Sequence, residues 1–135
     1  MDNQDLKIMV VEDEPLLLEA IGKKLEREGI TTILCSDGKQ AIDQLIQSND
    51  LPDAVWLDYY LKDMDGLSFM SEIKQNSKLQ SIPVIVVSNS ASTQKVNTML
   101  ALGAKKYLLK AQYKLDDVIS IIRQLIAQVN TNNSG

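Results

Sequence analysis

The chain has 135 residues, 44% hydrophobic and 24% charged, the size and make-up of one globular domain with a single core. A net charge of −4 works against binding a phosphate backbone; with no histidine and a single cysteine, Cys35, the inventory excludes His-based zinc sets, Ser-His-Asp catalysis and an internal disulfide. No apolar run nears the roughly 20 residues a membrane helix needs, and the polar opening Met1 to Asp5 lacks secretory character, so a cytoplasmic protein without membrane insertion or direct nucleic-acid contact is expected.

Short apolar runs alternate with amphipathic stretches. Ile8 to Val11 reads as a buried strand, and Pro15 opens a helix with Leu17, Leu18, Ile21 and Leu25 on one face until Gly29 stops it. Thr31 to Cys35 is a second strand and Asp37-Gly38 a turn, followed by a helix faced by Ala41, Ile42, Leu45 and Ile46 that ends by Asn49 to Asp53. Ala54 to Leu57 is a third strand; Gly66 precedes a helix whose face is Leu67, Met70 and Ile73. Val84 to Val87, after Pro83, lacks alternation and so reads as a strand buried on both faces of a parallel sheet. A shorter helix carries Val96, Met99 and Leu100 and ends at Gly103, and Tyr107 to Leu109 is the fifth strand. Leu115, Val118, Ile119, Ile122, Leu125, Ile126 and Val129 form the cleanest amphipathic stripe, before a polar tail from Thr131 to Gly135.

Five such units predict an α/β doubly wound parallel sheet with helices on both faces, because each crossover is right-handed and must be covered. In such sheets ligands sit beyond the carboxyl ends of the strands. There the chain places Glu12-Asp13-Glu14 after the first strand, Asp58 after the third, Ser88 after the fourth and Lys110 after the fifth. Glu12, Asp13 and Asp58 are the hard oxygen donors that Mg²⁺ takes. Asp58 has the character of a carboxylate nucleophile toward phosphorus, and Lys110 and Ser88 supply a charge and a donor for phosphoryl oxygens. Singly, each residue has a plainer use: Glu12 to Glu14 as acids at a helix N-terminus, Asp58 and Ser88 as loop groups, Lys110 as a solvated charge. Their convergence on one sheet edge favours the common site.

These residues resemble the receiver domain of two-component response regulators. The segments carrying the likeness are Val10-Val11-Glu12-Asp13-Glu14, Pro52 to Asp58 with Asp65-Gly66 downstream, Ile82 to Ser88, and Gly103 to Lys110. The resemblance implies a flavodoxin-like (βα)5 three-layer sandwich, strand order 2-1-3-4-5, over residues 1–130, with 131–135 as a polar tail or the start of a linker. It makes Asp58 the phosphoacceptor and Glu12, Asp13, Asp58 and the Tyr60 backbone carbonyl the ligands of Mg²⁺ or Mn²⁺. Ser88 becomes the hydroxyl switch, Lys110 the phosphate-binding lysine and Tyr107 the switch aromatic. The implied partners are a sensor histidine kinase or histidine phosphotransfer protein and a downstream output protein or domain, for a monomer or weak dimer that does not turn over a free substrate.

Four positions depart from the family pattern. Lys62, where proline is common, is expected to loosen the loop after Asp58. Ala111 follows Lys110 where a cis-proline is usual; a cis bond before alanine costs about 2.5 to 4 kcal/mol, so a trans bond and an altered loop are expected. Asn89 is expected to narrow access to the acceptor. Tyr60, with the small Ser90 at the other tuning position, is expected to shield Asp58 from water and prolong the phosphorylated state. Ala111 and Asn89 motivate the alternative of a phosphorylation-independent binding module. A metabolite phosphatase is disfavoured because Asp58 is followed by Tyr59-Tyr60 rather than a second aspartate one residue on, and no Gly-rich phosphate loop occurs.

Overall fold

Alternating short strands and helices lie in the expected order in the computed structural model, which describes residues 6–134, with side chains through Val129. The strands are β1 (Lys7–Val11), β2 (Thr31–Cys35), β3 (Ala54–Asp58), β4 (Val84–Ser88) and β5 (Lys106–Leu109). The helices are α1 (Pro15–Arg27), α2 (Gly38–Gln47), α3 (Gly66–Gln75), α4 (Thr93–Ala101) and α5 (Leu115–Ser134). The sheet is parallel throughout in the order β2-β1-β3-β4-β5, the flavodoxin-like arrangement.

Burial follows position in that order. Every residue of β3 and β4 is buried, as interior strands covered on both faces require, whereas the edge strands β2 and β5 keep exposed positions. The two-residue period of the strands divides the core: Met9, Val11, Leu57 and Val86 face α2, α3 and α4, while Ile8, Val10, Trp56 and Ile85 face α1 and α5. Pro15 opens α1, and the side chains of Asp37, Asp65 and Ser92 each accept a backbone N–H of the first turn of α2, α3 and α4. Gly29 and Gly103, at φ of 80° and 108°, end α1 and α4 in the left-handed region that glycine enters without strain.

Three assigned face residues are corrected. Ile46, Leu67 and Leu100 are 47%, 38% and 42% exposed. In α3 the buried stripe is Phe69, Met70 and Ile73, which leaves Leu67 off the side of the helix. Beyond the fifth strand, α5 continues to Ser134 through the stretch read as a polar tail, while Gly135 and Met1 to Asp5 lie outside the described residues. The Lys110–Ala111 bond is trans, as expected, and Lys110–Gln112 forms one turn of 3-10 helix that the sequence did not announce.

Phe69 is fully buried, so Phe69→Ala is expected to destabilise the fold by about 3–5 kcal/mol in urea unfolding, against less than about 1 kcal/mol for Leu67→Ala.

Candidate functional site

The buried polar or charged residues among the described ones are Glu12, Asp58 and Ser88, and all three sit at the carboxyl edge of the sheet. The parallel register brings them there: Val11 pairs with Leu57, Asp58 with Val87 and Ser88 with Leu109, so the ends of β1, β3, β4 and β5 are level. Glu12 extends β1 by donating its amide to the Cys35 carbonyl at 3.0 Å, and its Oε2 accepts the Glu14 amide at 3.1 Å. That last bond stays within the loop before α1, which has no side-chain cap hydrogen bond, so the helix-cap reading of these acids is corrected.

One carboxylate oxygen from each of Glu12, Asp13 and Asp58 lies within 4.8 Å of the other two. Lys110 Nζ sits 3.1 Å from Glu12 Oε1 and 3.6 Å from Asp58 Oδ1. Lys110 thus reaches the acids across a trans bond to Ala111. When all three acids are ionised the group carries a net charge of minus two around hard oxygen donors, which fits one divalent cation of the Mg²⁺ class. Burial raises the Asp58 carboxyl to about 7, with the neighbouring Glu12 and Asp13 charges acting in the same direction and Lys110 opposing them.

Ser88 is fully buried, and its Oγ accepts the Ser90 amide at 3.4 Å. Asn89 and Ser90 are exposed. Tyr107 is half-buried and donates its hydroxyl to the Ser90 carbonyl at 2.8 Å, tying β5 to the loop after Ser88. Tyr60 is half exposed and bonds through its phenol to Lys95. The Lys95 ammonium and then the Ser90 hydroxyl hold that phenol below its usual pKa.

Two neighbours of the site escaped the sequence reading. Tyr59 is buried, with its ring against Gly66, where a Cβ would come 2.7 Å from Tyr59 Cδ2. Continued strand alternation past Asp58 was the available signal, since it turns Tyr59 inward and Tyr60 outward. Asp63 accepts the amides of Gly38 and Lys39, both at 2.9 Å, and so fastens the loop after Asp58 to the start of α2. With the Leu61 amide bonded to the Met64 carbonyl at 3.1 Å and Tyr60 bridged to Asp65, the turn holding Lys62 is closed. Hydrogen bonds from three directions thus close this turn without a proline. Beside the site, a cavity of about 170 Å³ between α1 and α5 is lined by Leu17, Ile21, Trp56, Val87, Lys110 and Tyr113 among others.

A family model described as response regulator receiver domain matches residues 8–123. The chain is 29% identical over 136 residues to the probable transcriptional regulatory protein TcrX of Mycobacterium tuberculosis, an alignment covering 99% of this chain and 56% of that protein. It spans about half the length of the curated relatives it matches. Among solved structures, the receiver domain of the Francisella response regulator 1452 is similar at 26% identity and a TM-score of 0.82, covering 93% of this chain and 99% of that one. The signal receiver domain of a signal transduction histidine kinase from Syntrophus aciditrophicus is similar at 28% identity and a TM-score of 0.79, with 91% of each chain covered.

Because Asp58 ionises near 7 in the fold against 3.8 for the free side chain, its contribution to stability is largest below about 4 and is lost as pH rises through about 7. In metal-free buffer, Asp58→Asn is expected to be more stable than wild type at pH 8, by an amount on the order of a few kcal/mol that shrinks toward pH 4. Thermal unfolding across that pH range measures it; a gain independent of pH would contradict the charge origin.

Proposed function

The chain belongs to the response regulator receiver domain family, and on that premise we propose that it is a phosphoacceptor of a two-component or phosphorelay system, with Asp58 as the acceptor. The observation that carries this reading is the buried Glu12-Asp58 pair with Asp13 beside it and Lys110 within 3.1 and 3.6 Å. A pure binding surface has no use for clustered buried carboxylates, whose mutual repulsion is unfavourable. The reach of Lys110 across Ala111 also weakens one of the two motives for a phosphorylation-independent module.

In the proposed reaction an ionised Asp58 Oδ attacks the phosphorus of a phosphohistidine on a sensor kinase or histidine phosphotransfer protein. The Oδ–P bond forms and the P–N bond breaks, leaving the electron pair on the imidazole nitrogen, which takes up a proton. Lys110 leaves Glu12 for a phosphoryl oxygen, and the Ser88 hydroxyl donates to another. Glu12, Asp13, Asp58 and the Tyr60 backbone carbonyl are the proposed holders of Mg²⁺ or Mn²⁺. When bound, such an ion reduces the charge repulsion between carboxylates and phosphoryl group. Asn89, exposed beside Ser88, faces an arriving donor and is proposed to make transfer partner-selective.

The output follows from the same contacts. Movement of Ser88 toward a phosphoryl group displaces the loop through Ser90, and Tyr107 is bonded to that loop, so the surface of α4, β5 and α5 changes with it. A downstream output protein, or an output domain in a longer chain, is the proposed reader. The proposed setting is the cytoplasm; no helix among the described residues is long and apolar enough to cross a membrane.

Incubation with acetyl phosphate is expected to add one phosphoryl group to the intact mass only with Mg²⁺ present, and not to Asp58→Ala. No gain in wild type, together with no spectral response to beryllofluoride, would leave the binding module as the better account. Tyr60→Ala is expected to lose its phosphoryl group faster than wild type; an unchanged rate removes the shielding role.

A further inference from the structure

Tyr60 can shield Asp58 only if its ring is kept in place, and half of that residue is exposed. Its phenol bonds to Lys95 Nζ, which lies 4.4 Å from the Tyr60 ring centroid and 4.8 Å from that of Tyr59. Tyr59 is itself buried and meets Tyr60 edge-on, with centroids 4.8 Å apart and ring planes at 70°. Tyr107 continues the aromatic cluster, 6.2 Å from Tyr59. The backbone of Lys95 is fixed as well, since its amide donates to the capping Ser92 hydroxyl at 3.1 Å in the first turn of α4.

That placement runs against local helix electrostatics. The N-terminal turn of a helix carries partial positive charge, so a cation there is disfavoured, and α4 has no acid in its first turn to offset it. A surface lysine also retains rotamer freedom unless contacts hold it. Here a hydrogen bond and two ring contacts do so, and they converge on the tyrosine that follows the acceptor.

We propose that Lys95 is a positioning residue for the acceptor site: from α4 it holds the Tyr60 ring across the gap between the ends of β3 and β4 and limits the approach of water to a phosphoryl group on Asp58. The step it slows is hydrolysis. A water oxygen attacks phosphorus, the P–Oδ bond breaks with its electron pair returning to the Asp58 carboxylate, and inorganic phosphate leaves with a proton released to solvent. This role rests on Asp58 being the phosphoacceptor. It also makes the lifetime of the signal depend on α4: anything that draws Lys95 away frees Tyr60.

The test loads wild type, Lys95→Met, Lys95→Arg, Tyr60→Phe and the double variant Lys95→Met/Tyr60→Phe with acetyl phosphate and Mg²⁺, and follows loss of the phosphoryl mass. Lys95→Met and Tyr60→Phe are each expected to lose it about threefold faster, the size of one exposed cation–π or hydrogen-bond contact. The double variant is expected to fall short of the product of the two single effects, because Lys95→Met also removes the hydrogen bond that Tyr60→Phe removes, and Lys95→Arg to stay close to wild type. A loaded wild type with an unchanged Lys95→Met rate, or an additive double variant, overturns the role of Lys95 alone. A wild type that gains no phosphoryl group overturns the phosphoacceptor reading and this role with it.

Discussion

Three carboxylates held within 4.8 Å of one another at the edge of a buried sheet are the constraint around which this molecule is arranged. Two unit charges about 4 Å apart repel by about 4 kcal/mol at an effective dielectric of 20, comparable with the whole stability of a small domain. The parallel register leaves no freedom to separate them, because β1 and β3 are neighbours whose ends are level. Lys110 relieves part of the repulsion, while burial first and then the neighbouring acids push Asp58 toward neutrality. On the reading proposed above, a divalent cation or a phosphoryl group at Lys110 and Ser88 would change this balance, and so small a chemical event could bias a whole domain.

Around that edge each loop is tied down by a different device. Glu12 serves both as a member of the cluster and as the acceptor of the Glu14 amide in the loop before α1. Asp63 fixes the loop after Asp58 to α2; burial raises its pKa, but the Gly38 and Lys39 amides more than reverse this and hold it below the usual carboxylate range. The loop after Ser88 is held from β5 by Tyr107. Rigid strands present the acids and hydrogen-bonded loops present the rest, so the site is formed in advance while the loop joining β4 to α4 retains an exposed, movable part.

Much of this was legible in the sequence because the signals were periodic or positional. Strand runs such as Val84 to Val87 and turn residues such as Gly29 and Gly103 set the elements, and the rule that ligands gather beyond strand ends singled out Glu12, Asp58, Ser88 and Lys110. Three kinds of feature were not legible. Helix faces built on i, i+1, i+4 sets hid Phe69 behind Leu67, since periodicity alone does not say which edge of a broad stripe meets the sheet. Contacts between residues distant in sequence, such as Asp63 with Gly38 and Tyr60 with Lys95, leave no local trace. The turn around Lys62 is closed in part through Asp63, a contact that the missing proline did not foretell.

The small cavity between α1 and α5 has an optical meaning. Trp56, the only tryptophan in the chain, forms part of its wall two residues before Asp58, and Lys110 forms another part. An indole is sensitive to a nearby ammonium, and on the reading proposed above this ammonium would change partners when the site is filled. On that reading, the emission of one buried ring would report filling of the site without a label.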